Sequence, residues 1–219
     1  MITIDGPAGV GKSTVSKCLA GRLHYGYLDT GALYRALAWK VQQEQLEPSN
    51  LSHIESLLSC TSLQLIADQN GFSMKIDGQS VIEKELRTPV ISQLASSIAV
   101  LPIVREWLLP VQQEVGKAGG VVAEGRDMGT RVFPHADVKF FFEADINVRA
   151  RRRHQELAEK GQPVHLDTIR DDMVMRDTRD RTRAHDPLRP APGAIMIETS
   201  QQSIEEIVDH MMGMIADRL

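Results

Sequence analysis

The chain has 219 residues, of which 42% are hydrophobic and 25% charged, and its formal net charge is −4. That is ordinary globular composition with apolar material for one sizeable core. The acidic balance excludes a protein that holds nucleic acid by overall charge. The two cysteines, Cys18 and Cys60, stand in no metal or redox spacing, which argues against a disulfide framework and fits a reducing compartment. No secretory signal pattern and no run of membrane-spanning length is visible, so the expectation is a cytoplasmic protein without membrane partners.

The N-terminus reads as a buried strand, Ile2-Thr3-Ile4, followed by a glycine-rich loop and a helix from about Lys12 to Leu23. Tyr27-Leu28 is a short strand candidate. A helical pattern runs from Gly31 to about Gln45, with Thr30 as its expected N-cap, and Pro48-Ser49-Asn50 breaks it. Asn50 is placed to cap a short helix through Leu58. Residues 62–84 then change character. Leu63–Ile66, Phe72–Ile76 and Ser80–Ile82 are separated by Asn70-Gly71 and Asp77-Gly78, dipeptides that tolerate the positive φ of tight hairpins. They predict a three-stranded antiparallel meander inserted in a chain that otherwise alternates strands and helices.

Helical patterns resume over about 89–100 and 102–115, with Pro102 suited to a first turn. Val121-Val122-Ala123 and Val138–Phe142 are short buried strands. A basic helix from about Ile146 to Lys160, a highly charged helix over 165–183, a strand at 194–197 and an amphipathic helix from Ser203 complete the chain. Strands alternating with helices imply an α/β fold with a parallel, doubly wound sheet.

Gly6-Pro7-Ala8-Gly9-Val10-Gly11-Lys12-Ser13 matches G-x-x-x-x-G-K-[ST] in full, after a strand and opening a helix. Glycines let backbone N–H groups turn around a phosphate, and the helix N-terminus adds partial positive charge. Lys12 would reach the β- and γ-phosphates, and the Ser13 hydroxyl, followed by Thr14, would ligate Mg²⁺. The chain is therefore expected to bind a nucleoside triphosphate. None of the three asparagines (Asn50, Asn70, Asn147) precedes a lysine, so the guanine reader Asn-Lys-x-Asp is missing, as is a Leu-Ser-Gly-Gly transport signature. A small-molecule kinase, or an ATP-dependent ligase or synthetase, remains.

Three further runs bear on a second substrate. Arg35, in Asp29-Thr30-Gly31-Ala32-Leu33-Tyr34-Arg35, falls on the first turns of a helix, where a guanidinium could fork onto a phosphate. Glu124-Gly125-Arg126-Asp127-Met128-Gly129-Thr130 follows a strand, and ligands gather at the C-terminal ends of strands in doubly wound sheets. The plain alternative there is a structural Arg126–Asp127 ion pair. Ten arginines fall from Arg149 to Arg189, four of them at Arg176, Arg179, Arg181 and Arg183. Arg176, Asp180 and Arg183 share a helix face by spacing, and Arg179 and Arg183 are like charges at i, i+4. A polyphosphate between such cations would relieve their repulsion, as phosphoryl transfer requires.

These four runs, in this order and spacing, resemble bacterial cytidylate kinase over nearly the whole chain, and the 62–84 meander resembles the enlarged insert of the bacterial type. The resemblance implies ATP as donor with Mg²⁺, CMP and dCMP as acceptors, a place in pyrimidine metabolism, and a monomer. It implies one P-loop kinase domain with a core (about 1–35, 100–150 and 184–219), a monophosphate-binding insert (about 36–99) and an arginine-rich lid over ATP (about 149–165). Ser96, Arg105 and Asp127 would read the cytosine, with Ser97 the neighbour of the first. Arg176 and Asp180 would contact the sugar, and Arg35, Arg126 and Arg183 would hold the acceptor phosphate. Thr30 and Tyr34 would line the same site, and Arg152 would face ATP. Lys12, Arg126, Arg176 and Arg183 would surround the transferred group. Asp186, in Ala184-His185-Asp186-Pro187, is more acidic than the family pattern leads one to expect, and His185 reads as structural. The residues alone leave open another acceptor (UMP, AMP or a non-nucleotide) and a nucleotide-binding regulator without turnover.

Overall fold

The computed structural model describes residues 1–218 other than 69, 70, 82, 160 and 163, with backbone alone at 68, 71, 83 and 84. Five parallel strands make the central sheet: β1 (Ile2–Asp5), β2 (Gly26–Asp29), β6 (Val121–Gly125), β7 (Val138–Glu143) and β8 (Ile195–Glu198). Their order across the sheet is β2-β6-β1-β7-β8. The register sets Asp5 beside Gly125 on one side and Phe141 on the other. The middle strands are buried on both faces, as expected of a parallel sheet covered by helices. The loop after β1 therefore opens at the centre of the sheet's C-terminal edge, where doubly wound folds bind ligands.

The helices are α1 (Lys12–Leu23), α2 (Thr30–Gln43), α3 (Leu51–Cys60), α4 (Glu83–Leu86), α5 (Pro89–Ile98), α6 (Pro102–Gly116), α7 (Ile146–Glu159), α8 (Leu166–Thr182) and α9 (Ile204–Ala216). Their ends follow local chemistry. Asn50 accepts from His53 N at 3.3 Å as expected, Thr88 caps α5 ahead of Pro89, and Ser203 with Glu206 forms a capping box. Thr30 is not the cap of α2. Asp29 takes that place, accepting from Ala32 N at 3.1 Å, because Thr30 Oγ1 is drawn off to Glu124 O at 2.7 Å. The core–insert boundary expected at residue 35 falls inside α2.

Strands β3 (Leu63–Asp68), β4 (Gly71–Ile76) and β5 (Gln79–Ser80) form the antiparallel meander. Its second turn has φ of 50° at Asp77 and 78° at Gly78, the two positive values of a tight hairpin. The first expected turn, Asn70-Gly71, and the end of the third expected strand, Ile82, lie wholly or partly outside the described residues. The meander leans on β2, where a Cβ on Gly26 would stand 3.1 Å from the Phe72 ring.

The apolar residues fall into separate clusters. Ile2, Ile4, Val15, Leu19, Phe140 and Met211 pack α1 and α9 on one side of the sheet. Leu33, Leu37, Ile54, Ile91, Val104 and Leu108 join α2, α3, α5 and α6. Ala150, Leu157, Ile169 and Met173 pack α7 on α8 in a small cluster of their own.

The region between β6 and β7 carries an element absent from the sequence reading, a π-helical turn over Met128–Val132. Asp5 enforces it by accepting from Met128 N at 2.9 Å and Gly129 N at 2.8 Å. Such turns recur at functional sites. No single helix among the described residues is long and apolar enough to cross a membrane.

Candidate active site

The loop after β1 has φ of 75° at Gly9 and 90° at Gly11, values that place N–H groups on the concave side and that side chains rarely adopt. A Cβ on Gly9 would meet Met173 Cε at 2.6 Å. Lys12 is buried and its ammonium folds back on its own loop, donating to Gly6 O at 2.7 Å and Pro7 O at 2.6 Å. Burial first, then the Arg126 charge, lowers its pKa well below the usual lysine range. Beside it, burial raises the Glu124 carboxyl and the nearby Asp29 charge adds to the rise. Tyr27 donates to Glu124, and burial raises the Tyr27 phenol in turn.

A cavity of about 710 Å³ opens over this loop, lined by Ala8 to Thr14 and, from the α7–α8 pair, by Arg152. Its size suits a nucleotide. Gly6 and Pro7 do not line it; their carbonyls hold Lys12. Arg152 donates to Thr199 O at 2.6 Å. Arg149, the first residue of the expected lid, is buried. It donates to Ala8 O at 3.1 Å, Ala144 O at 3.0 Å and Asp177 Oδ2 at 2.6 Å.

A second, smaller cavity of about 120 Å³ adjoins the first. All ten acceptor-site residues expected from the sequence line it. Thr30, Tyr34 and Arg35 come from α2, and Ser96 from α5. Arg105 comes from α6, and Arg126 and Asp127 from the end of β6. Arg176, Asp180 and Arg183 come from α8 and its end. Lys12, Ser13, Arg35, Ser96 and Arg176 line both cavities. Arg183 is the C-cap of α8 with ψ of 143°, so it reaches the site from the turn and not from the helix face.

The charges pair between elements, and the plain alternative of an Arg126–Asp127 ion pair does not form. Arg126 Nε donates to Asp180 Oδ2 at 2.9 Å. Asp127 instead accepts from Arg105 Nη2, with Arg183 Nη2 at 3.6 Å. Burial raises the Asp127 carboxyl, against the pull of Arg105 and Arg183. Burial would raise Asp180 too, but Arg126 and Arg176 outweigh it and hold that carboxyl low. The two aspartates within the arginine run pair outside it, Asp177 with Arg149 at 2.6 Å and Asp180 with Arg126. Two donors remain open: Arg35 Nε and Arg176 Nε are buried with no hydrogen-bond partner among the described residues. Burial and Arg126 lower Arg176 to about 10, which leaves it cationic at neutral pH. Arg35 is paired through Nη2 with Asp29 Oδ2 at 2.7 Å, so what stays open is its Nε and that of Arg176, buried N–H donors that suit an anionic ligand.

Ser96 is buried and accepts from Arg179 Nη1 at 2.9 Å, whereas Ser97 is half-buried and donates to Gln93 O at 3.1 Å. Arg179, Asp5 and Asp186 are site neighbours that the sequence reading had not assigned. A carboxylate ending a buried strand is a usable signal for Asp5, the arginine run is one for Arg179, and Asp186 stands out only as an unexpected acid.

The oxygen-only set at Ser13, with Glu124 behind it, fits Mg²⁺. A solved structure of an uncharacterized protein from Eubacterium ventriosum matches with a TM-score of 0.51 at 14% identity, covering 99% of this chain and 98% of that one, a likeness of fold alone. The cytidylate kinase of Geobacter sulfurreducens is 40% identical over 218 residues, 100% of this chain and 93% of that one. That of Caldicellulosiruptor bescii is 42% identical over 211 residues, 96% of this chain and 93% of that one. The family model described as cytidylate kinase matches residues 2–217. From its phosphate loop to its last helix, the chain belongs to the cytidylate kinase family.

Proposed function

We propose that the protein transfers the γ-phosphoryl group of ATP to CMP or dCMP, giving ADP and CDP or dCDP. One observation carries the reading: ten side chains from five segments converge on one small cavity that shares Lys12 and Arg176 with the cavity over the phosphate loop. An acceptor phosphate oxygen attacks the γ-phosphorus, the bond to the β-bridging oxygen breaks, and its electron pair leaves with ADP. The acceptor phosphate is already ionised, so positioning and charge neutralisation suffice without a strong base.

Lys12 would exchange its two loop carbonyls for phosphate oxygens. Arg35, Arg126 and Arg183 would hold the acceptor phosphate, and Arg176 would span the transferred group and the sugar side with Asp180. Arg105, Asp127 and Ser96 would face the base. Ser13 would hold Mg²⁺, which would supply charge neutralisation at the donor phosphates. The arginine-rich lid of about 149–165 would close over ATP and exclude water. As the family resemblance implies, the protein would act as a cytoplasmic monomer; sizing chromatography tests the monomer.

ADP release with CMP, dCMP, UMP, AMP and no acceptor tests the reading. Release that depends on CMP or dCMP and is weak with the others is expected. Release independent of any acceptor, or favouring AMP, would overturn it.

A further inference from the structure

Asp186 lines neither cavity, yet it holds two arginines of the acceptor cavity. It sits in the turn after α8. Its carboxylate Oδ2 accepts from Arg105 Nε at 3.0 Å, and its backbone carbonyl accepts from Arg183 through both Nε, at 2.8 Å, and Nη2. Arg131, from the π-helical turn, stands 3.8 Å from the other carboxylate oxygen. Asp186 does this with φ of 48°, a left-handed conformation that non-glycine residues keep only where the surroundings enforce it.

We infer that Asp186 is a positioning residue for base recognition, acting through Arg105 and Arg183. The inference rests on the proposed use of the smaller cavity by a pyrimidine monophosphate.

Arg105 has three engaged edges: Nε on Asp186, Nη1 on Ala99 O at 3.3 Å, and Nη2 on Asp127. Its guanidinium carbon also lies 5.9 Å from the Tyr34 ring centroid. A guanidinium is planar, so fixing Nε from behind fixes where both terminal nitrogens point. Without Asp186, Arg105 and Arg183 would share Asp127 as their remaining carboxylate among these contacts. Asp127 would then be drawn into a fork with Arg105, and its lone pairs would be less open to a ligand amine. Asp186 therefore divides the charge. It takes the outer edge of Arg105 and the whole of Arg183's donor edge, and leaves Asp127 facing inward. The left-handed backbone aims side chain and carbonyl at two arginines at once.

Glycine and asparagine separate the side-chain contribution from the backbone. Asp186→Gly keeps the left-handed backbone and the carbonyl to Arg183 but removes the acceptor for Arg105. Its KM for CMP should rise about tenfold or more, its kcat/KM preference for CMP over UMP should narrow by a similar factor, and its KM for ATP should stay within about twofold. Asp186→Asn tolerates the same backbone and keeps an oxygen for Arg105 Nε, so its KM for CMP should stay within about threefold of wild type. Should the glycine variant fail to fold, Asp186→Ser carries the glycine expectation, since its hydroxyl is too short to reach Arg105. A KM for CMP unchanged in the variant lacking the carboxylate overturns the inference, as does a KM for ATP that rises equally. Wild-type protein inactive toward CMP would instead strike the proposed acceptor itself.

Discussion

Arg179 Nη1 donates to Ser96 Oγ at 2.9 Å, joining α8 to α5 across the acceptor cavity. The pair decides between two adjacent serines. Ser96 is buried and bound to Arg179; Ser97 is half-buried and bonds its own helix. A hydrogen bond from Ser96 to the neutral base would contribute about 0.5–1.5 kcal/mol. Ser96→Ala should therefore lower kcat/KM for CMP by about two- to tenfold, and Ser97→Ala should leave it unchanged. Steady-state kinetics on both variants checks this, and equal effects would remove Ser96 from the base site.

Lys12 is buried and donates to two carbonyls of its own loop. Its charge is costly to bury, so removing it should not destabilise the fold greatly. Lys12→Ala should cut kcat by about 10²–10³ or more, the usual loss for a charge aimed at a transferring group. Its melting temperature should stay near wild type. Retained turnover would contradict the phosphate-loop reading.

Asp5 is fully buried, and burial pushes its carboxyl up from 3.8 to about 6, aided by the Asp127 charge and opposed by Met128 N, Gly129 N and Lys12. A raised folded-state pKa means that the native chain binds more protons than the unfolded chain between about pH 4 and 6. Stability from this group is thus present below its unfolded pKa and lost as pH rises through its folded one. At 1.36 kcal/mol per unit, the loss is about 3 kcal/mol. Asp5→Asn cannot titrate, and its amide sets an N–H against one of the two backbone donors, a cost constant with pH. The wild-type-minus-variant unfolding free energy should therefore fall by about 1–3 kcal/mol from pH 4 to 7 and be flat above. Denaturant titrations across that range measure it, and a flat difference would show Asp5 held ionised by its two N–H partners.

The elements were legible where their cause is local. The phosphate loop carries its own glycines and lysine, Asn50 caps three residues ahead, and Asp77-Gly78 makes its own turn. What escaped was set at a distance. The π-helical turn at Met128 depends on Asp5, 123 positions away. The inward turn of Ser96 depends on Arg179, 83 positions away. The grip on Arg105 depends on Asp186, 81 positions away. Arg126 and Asp127 are neighbours in sequence, yet Arg126 joins Asp180 of α8 and Asp127 joins Arg105 of α6. A window of residues shows which charges are present; only the sheet and its helices decide how they pair.

With Arg105 and Asp127 facing the base as proposed, their pairing sets base choice. Cytosine offers an exocyclic amine beside a ring-nitrogen acceptor, and uracil offers a carbonyl oxygen and an N–H instead. An ionised carboxylate only accepts, so Asp127 suits the amine and repels the uracil oxygen. Arg105 only donates, so it suits the cytosine acceptors and leaves the uracil N–H unpaired. In a buried site each mismatch should cost about 1–3 kcal/mol, which gives roughly two to four orders of magnitude against UMP. Asp127→Asn supplies an amide that both accepts and donates. It should lose kcat/KM for CMP far more than for UMP, while the uncharged side chain still offers an oxygen to Arg105. Burial raises the Asp127 carboxyl, so wild-type preference for CMP should also weaken as pH falls through that raised value, and the asparagine variant should show no such weakening. Kinetics with both acceptors, in both proteins and across pH, measures the ratio. A CMP-to-UMP ratio that stays constant between wild type and variant would show that another group reads the base.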